Sequence, residues 1–182
     1  MKVYILMADG FEECEALVPL DILRRGGIKV NTVGIGKNSV TGAHGITVTA
    51  DIAESDAVFD GIDAVILPGG MPGTLNLEKS ETVQKFIDFA AEKNALLCAI
   101  CAAPSVFGHK GLLNGKKATC FPGFEKDLIG AKVLDVKTVT DDNVITACGA
   151  GAAFEFGFAV LTALTGGKTA AENLSKAMKY TK

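Results

Sequence analysis

Cys101 is the residue of this chain best placed to do chemistry. It falls between the apolar run Leu96–Ile100 and a helical stretch beginning near Ala103. Pro104 sits in the first turn of that stretch, where its missing N–H is not needed. The small neighbours Ala99, Ala102 and Ala103 permit a sharp strand-to-helix turn of the nucleophile-elbow kind, which holds a side chain at the edge of a sheet. A helix N-terminus favours thiolate, so Cys101 is expected to titrate well below the free-thiol value of about 8.5. Cysteine is also among the most often buried residue types, and the local pattern fits a core thiol equally well.

Three other features bear on that thiol. Gly69-Gly70 closes the apolar run Ala64–Leu67, and beside Cys101 the amides of Gly70 and Ala102 would form an oxyanion hole; taken on its own, the pair is better explained by a tight turn with positive φ. Glu12, Glu13 and Glu15 open a helical stretch, where acids complement the dipole. Pro19 cannot donate to the carbonyl of residue 15, so the helix is expected to bend or open there. Glu15 would then be partly desolvated, with a raised pKa suited to proton exchange with a thiol.

Other motifs are weaker. Cys98-Ala-Ile-Cys101 has redox spacing, but Cys98 falls inside the apolar strand, and the chain offers zinc no second CxxC or paired histidine. Gly149-Ala-Gly151-Ala-Ala-Phe154 resembles a dinucleotide fingerprint, but its sixth position is Phe and no strand ending in an acid follows about twenty residues on. His109 lies eight residues past Cys101, about 12 Å of rise on an unbroken helix, too far to serve as its base. His44, in the loop Thr41–Gly45, cannot be placed by pattern alone.

These residues need a scaffold, and the hydrophobic pattern describes one. Short apolar runs at Lys2–Met7, Lys29–Gly34, Ala64–Leu67, Leu96–Ile100, Ala118–Cys120 and Val144–Ala147 read as strands covered on both faces. Helical stretches alternate with them at about Glu13–Arg25, Ser80–Lys93, Ala103–His109, Phe124–Ile129, Ala153–Leu164 and Thr169–Met178. Ile46–Ala50 and Val133–Thr140 show polar alternation and read as a peripheral hairpin or edge elements. The whole is an α/β pattern around a mostly parallel sheet. In such a sheet ligands sit beyond the carboxyl ends of the strands. Cys120, Phe121, Gly149 and Ala150 follow strand ends and are expected, with His44, as possible lining of the site.

No repeat or linker divides the chain, so residues 1–182 are expected to form one domain. A formal charge of −3 and the absence of a basic stripe argue against nucleic acid. No run approaches the roughly 18 apolar residues that cross a membrane. Met1–Met7 is too short for a signal peptide and acids follow it at once. Five cysteines, an odd number, are expected to be reduced thiols in a cytoplasmic protein.

The segments MADGFEECEA, VILPGGMPG and LLCAICAAPSVF, with the late TACGAGAAFEFGFAVLTALTG, resemble the signatures of the ThiJ/PfpI family over essentially the whole length. Within it the chain is most similar to the branch of the Parkinsonism-associated deglycase and its YajL-like bacterial relatives. The resemblance implies a flavodoxin-like three-layer sandwich, a homodimer, Cys101 as an elbow nucleophile in a strained backbone, and Glu15 as a protonated carboxyl on its sulfur. It also implies Gly69, Gly70 and Ala102 as oxyanion donors. Chemistry on small reactive aldehydes or their glycated adducts follows, glyoxalase-like or deglycase-like, with no metal or organic cofactor. Redox sensing through oxidation of Cys101, with a stress-response or chaperone output, is the alternative. Two residues depart from the family pattern. Ala102 stands where the peptidase branch has His, which argues against a peptidase or amidase. Phe121 stands where the deglycase branch often has His, leaving Glu15 as the proton carrier.

Overall fold

The computed structural model describes residues 1–180; the last two residues of the expected 1–182 domain lie outside them. In chain order its elements are β1 (Val3–Met7), α1 (Glu13–Arg25), β2 (Val30–Gly34), β3 (Ser39–Thr41), β4 (Thr47–Thr49), β5 (Ile52–Ala53) and β6 (Ala64–Leu67). They continue with α2 (Gly73–Lys79), α3 (Glu81–Glu92), β7 (Leu96–Ile100), α4 (Pro104–His109), β8 (Lys117–Ala118) and β9 (Lys132–Val133). The chain closes with β10 (Thr138–Asp141), β11 (Val144–Ala147), α5 (Ala153–Thr165) and α6 (Thr169–Ala177).

The central sheet runs β10-β11-β7-β6-β1-β2-β5. All its pairs are parallel except β10 with β11. The strands are apolar because helices cover both faces. Val3, Ile5 and Met7 of β1 meet Ile22 and Leu23 of α1 and Phe156 and Val160 of α5 on one side. Tyr4 and Leu6 meet Phe86 and Ile87 of α3 and Phe107 of α4 on the other. From β1 the chain builds outward through β2, then returns to place β6 on β1's other flank. The segments after β1 and β6 therefore diverge at a switch point, where an open parallel sheet leaves a crevice.

Several sequence expectations need correction. Of the bend or opening expected at Pro19, the opening does not occur: α1 is continuous from Glu13 to Arg25. It packs closely on α5, where a Cβ on Gly157 would lie 2.7 Å from Ile22 Cδ1 and 3.1 Å from Pro19 Cα, and that packing outweighs the missing hydrogen bond. The run Ala118–Cys120 is not a central strand: β8 pairs only with β9, and the Thr119 N–H goes to the Thr146 side chain at 2.9 Å. Phe124–Ile129 holds only a 3₁₀ turn, Glu125–Asp127, bracketed by Gly123 and Gly130 at positive φ. Helix α2 escaped the reading, since it begins in Pro72-Gly73, a turn signal. The two polar stretches became the β3–β4 hairpin and the β9 and β10 edge pieces. Among the described residues no helix is long and apolar enough to cross a membrane.

Candidate functional site

Cys101 is the first residue past β7, and its backbone has φ +64. That left-handed conformation costs a residue with a Cβ about 1–3 kcal/mol, so the surroundings must impose it. They do so from both sides. The Cys101 N–H donates to the Ala147 carbonyl at 2.9 Å, and the Phe121 N–H donates to the Cys101 carbonyl at 2.8 Å. The Ala103 N–H then returns to the Ile100 carbonyl at 3.1 Å, tightening the turn into α4. Buried Ala102 and Ala103 leave room for this path.

Glu15 reaches the thiol from α1. The Glu12 N–H donates to the Gly69 carbonyl at 2.9 Å, and the Gly69 N–H donates to Glu15 Oε2 at 2.9 Å. These bonds lock the start of α1 to the end of β6. Glu15 is fully buried, and its Oε1 has no hydrogen-bond partner among the described residues. A Cβ on Gly69 would lie 2.7 Å from both Cys101 Cβ and Glu15 Oε2, so only glycine lets the two side chains meet there. Burial pushes the Glu15 carboxyl up to about 7, against the Cys101 and Gly69 contacts that favour its charge.

The thiol departs from expectation. Burial first, and then the adjacent Glu15 carboxylate, push Cys101 up to about 12, while the amides of Ala102 and Gly70 pull the other way. The helix end expected to lower it is weak: α4 has six residues and begins three positions beyond the sulfur. The thiol and carboxyl therefore act as a pair that releases its first proton near 7, and which atom keeps the other depends on what binds.

Of the expected oxyanion donors, Gly70 and Ala102 point their amides at the sulfur, whereas the amide of Gly69 is taken by Glu15. Phe121 is exposed and lies over Gly149, where a Cβ would be 3.2 Å from its ring. Cys120 is buried behind it, and Ala150 is exposed at the turn that follows. His44 does not join Cys101. Its Nδ1 pairs with Glu13 Oε2 at 2.9 Å, and its N–H donates to Glu13 Oε1 at 2.8 Å. Burial opposes ionisation of Glu13, but the His44 imidazole and the backbone amides hold its carboxyl below the usual range. Glu12, Glu13 and His44 place ligand-type atoms within 4.8 Å of one another. Glu13 already has both oxygens engaged, and the cluster reads as the tie between α1 and the β3–β4 hairpin.

His109 is held by Glu78 Oε1 at 2.5 Å and faces Asp127 at 3.7 Å, away from the thiol. Cys98 is fully buried in β7, and all five cysteines are free. Sequence reasoning missed Cys148, one residue past β11 as Cys101 is one past β7; that shared position was the available signal. A groove of about 830 Å³ between α5, α6 and β10 contains none of these residues.

Fold and site together define a flavodoxin-like α/β protein that presents a cysteine on a strand-to-helix turn beside a buried carboxyl. Residues 1–163 match the model of the DJ-1/PfpI family, and the chain belongs to that family. It is 32% identical to the Parkinson disease protein 7 homolog of Danio rerio over 176 residues, covering 94% of this chain and 93% of the relative. It is 34% identical to a deglycase of Pyrococcus abyssi over 151 residues, covering 81% and 89%. Among solved structures, DJ-1beta of Drosophila melanogaster superposes with a TM-score of 0.93 at 30% identity, covering 100% of this chain and 98% of that one. Oxidised DJ-1 of Toxoplasma gondii superposes with a TM-score of 0.94 at 28% identity, covering 100% and 99%.

Proposed function

We propose that this protein is a cofactor-independent enzyme that converts small reactive aldehydes of the 2-oxoaldehyde class, or the glycated adducts they form with thiols and amines, to 2-hydroxy acids. The observation that carries this reading is the shared buried site of Cys101 and Glu15, with Oε1 unpaired and two amides converging on the sulfur. The relatives named as deglycases point the same way.

Each residue has a task in turnover on a 2-oxoaldehyde. Ionised Glu15 takes the Cys101 proton as the sulfur attacks the aldehyde carbon. The amides of Gly70 and Ala102 hold the oxyanion until Glu15 returns the proton, giving a hemithioacetal. Glu15 then removes the hydrogen from that carbon and delivers it to the neighbouring one, while the hydroxyl proton passes to the neighbouring carbonyl oxygen, leaving a thioester. Water, activated by the same carboxylate, releases the 2-hydroxy acid and the thiol. From an adduct the Cys101 sulfur displaces the bound amine or thiol, which leaves with the proton Glu15 supplies, and the same hydrogen shift and hydrolysis follow. No step needs a metal, nucleic acid or membrane, and the five free thiols fit a reduced, cytoplasmic setting.

Steady-state methylglyoxal consumption by freshly reduced protein, with lactate as product, tests this reading. The pH dependence has a definite sign. Below about 7 both members of the pair are protonated and no base is present, so kcat/KM is expected to rise with pH through about 7 and then level. A rate independent of pH between about 5 and 9 would remove Glu15 as the base.

A second reading has its own support. A protonated Glu15 whose Oε1 has no acceptor, beside a sulfur that also receives two amides, would hold a Cys101 sulfinate. A redox-sensing role in stress response, with or without chaperone output, follows from that cradle. A peptidase role has no support, because His109 is held elsewhere.

We also propose a homodimer through the face of α1 and the β3–β4 hairpin, where Ile46 is exposed beside the Glu13–His44 tie. His44 would then approach the partner's Cys101. Sedimentation velocity at micromolar concentration is expected to give a dimer; a monomer there overturns this pairing.

A further inference from the structure

Cys101 has a thiol neighbour that the aldehyde mechanism does not use. In the β7–β11 ladder Leu97 pairs with Val144, the Leu97 N–H donating to the Asn143 carbonyl at 2.9 Å, and the register continues to Ile100 opposite Ala147. The Cys101 N–H donates to the Ala147 carbonyl at 2.9 Å, which repeats the first hydrogen bond of such a step. The residue facing Cys101 is therefore Cys148. Residues opposite one another on neighbouring strands have Cα atoms about 5 Å apart, inside the span of about 4.4–6.8 Å that a disulfide bridges. Both side chains pack against the same apolar cluster, on the α1 and α5 side of the sheet, and both are half-buried. Cys101 itself, at φ +64, lies outside the extended region that keeps a strand's pleat.

We propose that Cys148 is the resolving thiol of this site, closing a Cys101–Cys148 disulfide once a hydroperoxide has oxidised Cys101. The Cys101 sulfur takes the terminal oxygen of the hydroperoxide, the O–O bond breaks, and the alkoxide or hydroxide leaves and is protonated. Cys101 is now a sulfenic acid, oxidised by two electrons. The Cys148 sulfur attacks it, the S–O bond breaks, and the oxygen departs as water with the Cys148 proton. In sum, two thiols and one hydroperoxide give a disulfide, an alcohol or water, and one further water. The disulfide forestalls the slower second oxidation to sulfinate, which thiols do not reverse. Cys120 is a third thiol at this end of the sheet. It is buried where Cys148 is half-buried, so it is the less accessible partner.

The inference rests on Cys101 being the reactive thiol of the proposed function, and the experiment separates the two. Reduced wild type, Cys148→Ser, Cys148→Ala and Cys101→Ser are treated with one equivalent of hydrogen peroxide and, separately, with an excess that supplies the second oxidation, each with and without dimedone. Intact-mass and non-reducing peptide mapping follow. Wild type is expected to lose the mass of two hydrogens, to show Cys101 linked to Cys148, and to recover with dithiothreitol. Both Cys148 variants are expected to lose that species, to trap dimedone on Cys101 and to proceed to sulfinate. A Cys120–Cys148 link that forms only when Cys101 is present is the same relay one exchange further on. The same link formed equally in Cys101→Ser overturns the proposal. So does oxidation of wild type to sulfinate with the yield seen in the Cys148 variants. If reduced Cys101 fails to react with iodoacetamide or peroxide in every protein, the functional reading of the site falls along with the relay.

Discussion

Cys101→Ser is expected to abolish methylglyoxal consumption, lowering kcat/KM by about 10⁴-fold or more, the scale seen when a covalent nucleophile is removed. The hydroxyl that replaces the thiol is far less acidic, and Glu15, with its carboxyl near 7, is too weak a base to ionise it. Folding should survive, since serine is close in shape and the left-handed backbone at φ +64 is held by the Ala147 and Phe121 hydrogen bonds rather than by the sulfur. Iodoacetamide labelling supplies the second readout. Burial and the Glu15 charge push the thiol up to about 12, so labelling of Cys101 should be slow in acid and should accelerate through about pH 7, as Glu15 becomes able to take its proton. Aldehyde turnover that survives in Cys101→Ser would place the chemistry elsewhere. A label that still reports a fast thiol would do the same.

Glu15→Gln carries the second-largest effect, a fall of about 10²-fold or more in aldehyde turnover. The amide oxygen can keep the Gly69 N–H bond, but the Gln amide is neither an acid nor a base near neutral pH and cannot carry hydrogen between adjacent carbons. The rise of kcat/KM through about pH 7 should vanish with it. Stability moves the other way. Burial raises the Glu15 carboxyl from 4.5 to about 7, so its contribution to stability is full below 4.5 and is lost as pH rises through about 7. That loss is worth about 3 kcal/mol if the unfolded chain titrates normally. Thermal unfolding should thus show wild type losing Tm relative to Glu15→Gln between pH 4.5 and 8, the reverse of a carboxylate held by a salt bridge. If turnover of the variant stays near wild type, Glu15 is not the proton carrier. If turnover stays but the extent of peroxide-driven sulfinate formation changes, the redox-sensing reading gains.

Much of the scaffold was legible because parallel strands covered on both faces must be solidly apolar, and the runs at Ala64–Leu67, Leu96–Ile100 and Val144–Ala147 coincide with β6, β7 and β11. Helices with a clear apolar period, α3 and α6 above all, were legible for the corresponding reason. The errors fell where pairing is not local. Ala118–Cys120 has strand composition, yet its middle residue Thr119 donates its N–H to a side chain of β11, which no pattern within the segment reports. Helix α2 opens in a Pro-Gly turn whose conformation is set by contact with the loop after β1, where the Gly73 N–H meets the Gly10 carbonyl at 3.1 Å.

The site divides along the same line. From the sequence came the elbow cysteine, the glycine pair after a parallel strand and the acid in the first helix as candidates, each with a structural explanation at least as good, and the family resemblance chose between the two. Only the tertiary structure decided how they act. It brings Glu15 under Cys101 across the switch point between β1 and β6, gives the Gly69 amide to the carboxyl rather than to an oxyanion, and buries the pair. Burial and the neighbouring charge raise the thiol to about 12 where the local helix end had suggested a low value. It also faces Cys101 with Cys148 across the β7–β11 ladder, 47 residues away in the chain. Electrostatics and pairing depend on which distant segments share a volume, and a chain records only its own neighbours.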